Sequence, residues 1–159
     1  MIAWLTKTLF GKLFATFFIS MVPVVELRLG LPYGIALGLP YWLALAAAVV
    51  GNLVPVPFII LLIRRIFAWL RRKSEKLDGW IRRLERKALA KGDVVSKYGT
   101  IGLCLLVAIP LPGTGAWTGA LVAAVLDIRL KRALPAIVLG VLIAAAIMTG
   151  VTYGVIRGI

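Results

Sequence analysis

Four apolar stretches free of charge divide the chain: Leu13–Val25, Leu29–Ile63, Gly99–Leu126 and Ala133–Ile156. Runs of this kind predict membrane spans, since about 20 apolar residues cross roughly 30 Å of hydrocarbon. Proline and glycine decide which runs can cross. Pro110-Leu-Pro-Gly-Thr-Gly115 interrupts the third run at its centre, leaving helical halves of roughly 17–20 Å each. Neither half spans alone. The residues 13–25 and 29–39 are also too short, and they flank a stretch that contains Pro23, Gly30, Pro32 and Gly34. Each pair predicts a re-entrant hairpin, which enters and leaves on one side with its tip shielded by protein or water. An unbroken span follows each hairpin, at 41–63 and at 133–156.

The charges orient these elements. Between Arg64 and Lys97 stand twelve basic residues against Glu75, Asp78, Glu85 and Asp93. Short basic connectors stay in the cytoplasm, so this block and the basic residues Arg129, Lys131 and Arg132 are expected inside. The uncharged Gly38–Trp42 connection is expected outside, together with Lys7 and Lys12, which would lie in a short interfacial helix with Trp4 and Phe10. The first hairpin then enters from outside and the second from inside. The predicted fold is all-α and integral to the membrane, an inverted repeat. Residues 1–63 form the first repeat, with a hairpin at about 13–39 and a span at about 41–63. Residues 64–97 form a connector, and residues 98–159 the second repeat, with a hairpin at about 99–126 and a span at about 133–156. Laying Pro23 on Pro110 brings Glu26 onto Gly113 and, after a shift of two, Gly51 onto Gly140.

The connector carries a helical stripe of Ile66, Trp69, Leu70, Leu77, Trp80, Ile81, Leu84 and Ala88. Cations on one face with tryptophan and aliphatics on the other describe an amphipathic helix on an anionic leaflet, so membrane lipids are the expected partner of 64–97. The net charge of +13 does not point to nucleic acid, because it is concentrated here without a recognition fold.

Glu26 and Arg28 are the sole charges between Lys12 and Arg64. An acid and a base this deep in hydrocarbon cost a few kcal/mol each, so they face a cavity, pair with each other or serve transport. Pairing alone would make them structural glue between helices. In a transporter, Glu26 is the proton-coupling carboxylate and Arg28 the residue for a substrate anion. The opposite wall is then Pro110, Pro112, Gly113, Thr114, Gly115 and Trp117, with Pro23, Gly30, Pro32 and Gly34 as the hairpin tip and hinge. Asn52, one turn before the Val54-Pro55-Val-Pro57 kink, bonds the carbonyls freed by the prolines or lines the pathway. Small residues four apart, Ala136/Gly140/Ala144 and Ala146/Gly150/Gly154, let the helices of the bundle pack closely, and a homodimer is expected. With no histidine and Cys104 the one cysteine, neither a metal centre nor a cofactor or enzyme activity is expected.

Pro23-Val-Val-Glu-Leu-Arg-Leu-Gly-Leu-Pro-Tyr-Gly34 and Ile109-Pro-Leu-Pro-Gly-Thr-Gly-Ala-Trp-Thr-Gly119 resemble the two signature stretches of the small multidrug export protein family. The likeness covers nearly the whole chain and implies export of small molecules. More distantly, opposed hairpins followed by spans are similar to the DedA and VTT membrane proteins, which implies movement of lipids, including lipid phosphates. Those proteins carry a further arginine in the second hairpin region, whereas Pro110–Trp117 here has no charge. Three functions remain open: translocation of an amphiphile with an anionic head, proton-coupled export of cationic drugs through Glu26, and a structural membrane protein. Arg28 beside the carboxylate favours an anion, since a cation would be repelled in a low-dielectric site.

Overall fold

The structure, a computed structural model, describes residues 8–111 and 113–157. Expectations for Trp4, Lys7 and Pro112 lie outside the described residues. Seven helices and no strand are present among the described residues. The first, α1 (Leu9–Met21), opens where the Thr8 hydroxyl accepts the Gly11 N–H at 3.1 Å, a side-chain cap on otherwise orphaned donors. It ends before Pro23, which has no N–H and forces Val22 into an extended conformation. After a short turn α2 (Glu26–Ala36) folds back along α1. Gly30 and Gly34 face Ser20 and Thr16, a close approach that residues without side chains permit. Gly30, Pro32 and Gly34 therefore lie inside α2, and of the expected tip residues Pro23 alone occupies the turn.

Both hairpins finish their second arm in the same way. At the end of α2, Leu39 N–H reaches the Gly34 carbonyl and Gly38 N–H reaches that of Ile35, with Gly38 at φ +77°. At the end of α6 (Ala116–Val125), Ile128 N–H reaches Ala123 and Asp127 N–H reaches Ala124, with Asp127 at φ +57°. These are paired Schellman closures, which satisfy the last carbonyls of a helix through one left-handed residue. Aspartate is among the few side chains that tolerate that conformation.

The first long helix consists of α3 (Tyr41–Leu53) and α4 (Pro55–Lys73), joined through helical Val54 into one apolar run, Tyr41–Lys73. Pro55 and Pro57 remove backbone donors there, which accounts for the interruption. The helix does not stop at Ile63. It runs into the basic segment and breaks at extended Ser74. The chain then enters α5 (Glu75–Ala108), which bends at Gly99, φ +59°. The bend is tight, because a Cβ on Gly102 would strike the Val94 carbonyl. The last helix is α7 (Leu130–Arg157). Among the described residues, Tyr41–Lys73 and Leu130–Gly154 are the two stretches long and apolar enough to cross a membrane.

The connector is thus a helical pair folded at Ser74 in place of one interfacial helix. Arg71 bridges the pair to Asp78 and Glu85. The expected stripe splits accordingly. Ile81 and Ala88 are buried, Ala88 in the same core as Val56, Ile59 and Ile60, while Ile66, Trp69 and Trp80 remain exposed. A second cluster packs Leu27, Leu31 and Leu39 against Ala44, Ala48, Ala144 and Ala145. Helix α7 serves both cores. Gly140 meets the Cys104 carbonyl and Val107, whereas a methyl placed on Gly150 or Gly154 would have no neighbour within 4 Å. The first small-residue row packs inside the chain and the second does not.

Two ends of the bundle can be distinguished. Lys12 lies beside Gly38, and the Tyr41 hydroxyl meets that of Thr149 at 2.6 Å with Tyr153 stacked edge-on. Arg64 pairs with Asp127 at the other end, joining the first long helix to the α6–α7 connection.

Candidate functional site at the hairpin tips

The two helix breaks meet each other. Glu26, only 4% exposed, projects from the first residue of α2, and its Oε1 accepts the Trp117 N–H at 3.1 Å. Trp117 is the second residue of α6, so the carboxylate caps the open N–H end of a helix in the opposite hairpin. Arg28 turns the other way. Its NH1 donates to the Leu111 carbonyl at 2.6 Å, and its NH2 to the Ile109 carbonyl at 3.3 Å and to Thr114 Oγ1 at 2.8 Å. Those groups follow the C-terminus of α5, where the Ile109 and Leu111 carbonyls also accept the Leu111 and Thr114 N–H groups, so the guanidinium adds a further bond to each and gathers the turn after the helix. Anion at the positive end and cation at the negative end is the favourable pairing with both helix dipoles, worth up to about 2 kcal/mol each when partly buried.

The expected Glu26–Arg28 ion pair is not formed. Among the described residues the ion pairs are Arg64–Asp127, Arg71–Asp78, Arg71–Glu85 and Arg82–Asp78. The reason is geometric. Glu26 enters α2 in a left-handed conformation, φ +48°, and Arg28 follows within the first turn of the helix. Each charge therefore reaches a different arm of the second hairpin.

The remaining contacts lock the tips from both sides. Trp117 Nε1 donates to the Met21 carbonyl at 2.9 Å, closing the end of α1. Thr114 Oγ1 lies 2.7 Å from the Ile109 carbonyl and 2.8 Å from that of Leu111, which gathers the loop that Arg28 grips. The Gly113 carbonyl accepts the Thr118 hydroxyl at 3.0 Å and also Lys91 Nζ. Gly115 has φ +128° and ψ −169°, and a Cβ there would land on the Glu26 carboxylate. Only glycine brings the α6 end this near the acid.

Glu26, Arg28, Pro23, Pro110, Gly113, Thr114, Gly115 and Trp117 are thus gathered at one place. Asn52 is not tied to it. Its Oδ1 is buried without a hydrogen-bond partner. Lys91 and the carbonyls of Met21, Ile109 and Leu111 belong to the site and had no sequence signature. Lys91 reads as one cation of a basic connector, and carbonyls look alike at every position.

An apolar cavity of about 510 Å³ opens beside the tips, with Pro23, Ile59, Phe67, Trp80, Trp117 and Leu121 in its walls. Its volume lies in the range of small-molecule sites. Trp80 and Leu84 also line a basic cleft with Arg83, Arg86 and Lys87.

No curated protein and no solved structure matches the chain significantly. A family model does, over residues 26–147, a span that holds Glu26, Arg28, Lys91 and the whole second tip. Its description is "Putative small multi-drug export protein", and by this match over most of its length the chain belongs to that family.

Proposed function

We propose that the protein is a small secondary transporter, with no enzymatic step, that moves an amphiphile with an anionic head through a site between the two tips. The observation that carries this reading is the exchange of helix-end caps: Glu26 on the start of α6 and Arg28 on the carbonyls after α5. In the closed arrangement the two charges are satisfied by groups that belong to the other hairpin. Separation of the tips frees both. Arg28 then offers an unpaired guanidinium fork that suits a phosphate-like head, and Glu26, stripped of its cap, takes up a proton. The adjoining cavity supplies an apolar berth for the tail. The matching Schellman closures support an inverted repeat of re-entrant hairpins. So do the glycines Gly51 and Gly140, packed on Phe17 and on Cys104 with Val107. The same sequence offset separates Gly38 from Asp127 and Gly51 from Gly140. On this reading the 64–97 segment lies in the cytoplasm of an inner-membrane protein, its exposed Trp69 and Trp80 at the anionic leaflet, and the free row Ala146/Gly150/Gly154 serves a homodimer.

Reconstituted transport tests the reading. Glu26→Gln removes the response to a pH gradient while the protein stays inserted, because the amide cannot titrate. Arg28→Lys cuts uptake of an anionic amphiphile at least about tenfold, since an ammonium cannot replace the fork. Unchanged transport in both variants overturns the proposal. It would leave the second reading, a structural lock, which the hydrogen bonds of both charges to the second tip favour.

Topology is tested separately by single-cysteine labelling in a Cys104-free background. Cysteines at Ser96 and Arg129 label from the cytoplasmic side, and one at Gly38 from the outer side. Labelling of Ser96 and Arg129 from opposite faces would make the second hairpin a span.

A further inference from the structure

Away from the tips, at the end of the bundle marked by the Arg64–Asp127 pair, a cleft of about 950 Å³ is lined by Arg129, Lys131 and Arg132. Arg129, Lys131 and Arg132 are all exposed. Among the described residues none of them has an ion pair or a side-chain hydrogen bond, and the carboxylate in the cleft, Asp127, is held by Arg64. Three cations around the first turn of α7, which has no acid of its own, repel one another and the helix N–H groups. An anion relieves that repulsion.

The cleft continues into a second hollow. Thr100, Arg132 and Pro135 line both it and a groove of about 340 Å³ that runs between the outer arm of α5 and α7 past Ile101, Leu105 and Leu139. Ile101 is 68% and Leu139 54% exposed. In a chain with two apolar spans, such a surface faces hydrocarbon. A basic cleft that leads directly into an apolar groove matches a molecule with an anionic head and a long chain.

We infer that this cleft and groove hold one anionic phospholipid of the surrounding bilayer, its phosphate on Arg129, Lys131 and Arg132 and one acyl chain along Ile101, Leu105 and Leu139. The site is independent of the proposed transport path. It anchors α7 to the Gly99 bend, where the second hairpin begins.

The test uses the purified full chain in neutral detergent, with binding read by native mass spectrometry and thermal stability. The probes are dioleoyl phosphatidylglycerol, dioleoyl phosphatidylcholine and glycerol phosphate. Phosphatidylglycerol binds and raises the unfolding temperature, with an affinity that falls as salt is added. The triple change Arg129→Gln, Lys131→Gln, Arg132→Gln weakens it on the order of 100-fold, since each charge at the surface contributes about fivefold. Leu105→Trp, which fills the groove, weakens it several-fold without touching a charge. Neutralising Arg71, Arg72, Arg82 and Arg83 leaves it intact. Equal binding of phosphatidylcholine, equal stabilisation by glycerol phosphate, or wild-type affinity in the triple variant would each overturn the inference.

Discussion

Gly115→Ala is expected to be the most damaging single substitution in the chain. The residue holds φ +128° and ψ −169°, a region essentially confined to glycine, and holding another residue there costs about 1–3 kcal/mol. The added methyl would also occupy the position of the Glu26 carboxylate. Displaced from the α6 amide, that buried charge loses its hydrogen bond, a change that costs about 2–3 kcal/mol for a charged group. Thermal unfolding in detergent should shift sharply to lower temperature, and transport should be lost with it. Gly113→Ala is the control. Its φ of +78° is also left-handed, but the new methyl meets the flexible end of Lys91, so a loss of about 1–2 kcal/mol is expected. A Gly115→Ala protein as stable as wild type would show that Glu26 does not rest on the start of α6.

The second large effect concerns additivity. Glu26→Gln and Arg28→Gln each leave a helix end without its charged partner, so each should destabilise by about 2–3 kcal/mol, the scale of hydrogen bonds to charged groups. The double variant should lose nearly the sum. Were the two residues a buried pair, removing both would restore most of the stability lost by removing one. Because Glu26 meets Trp117 and Arg28 meets Ile109, Leu111 and Thr114, the coupling measured by a double-mutant cycle should stay below about 1 kcal/mol. Stability near that of wild type in the double variant would restore the direct ion pair and contradict the geometry.

Both outcomes bear on transport. Contacts that close the tips must be weak enough to exchange. Hydrogen bonds from fixed helix ends meet this requirement better than a desolvated ion pair, because in the proposed transporter a substrate head or a proton would replace one partner while the other hairpin keeps its shape. The lock is also asymmetric. The first hairpin contributes the charges, and the second contributes backbone groups arranged by Gly113, Thr114 and Gly115. On the proposed function, this is how the Pro110–Trp117 tip would act without a charge of its own.

Sequence alone marked three of the places where the helices break. Pro23, Pro55 and Pro110 lack the N–H that a continuous helix needs, and the effect is local, so the breaks after α1 and α5 and the interruption of the first long helix were legible, whereas Pro32 and Pro135 sit inside α2 and α7. The apolar runs likewise identified the segments long enough to cross a membrane, because hydrocarbon admits few charges. Glu26, Arg28 and the Gly-Thr-Gly loop stood out for the same reason. Tertiary structure decided what those charges touch. Their backbone partners lie 81 to 91 residues away, and an amide or carbonyl has no mark in the sequence to show that a helix end will leave it free. It decided the connector as well. A stripe of apolar residues on a basic helix fits a lipid surface or a protein core equally, and only the fold at Ser74 turned Ile81 and Ala88 inward while leaving Trp69 and Trp80 exposed.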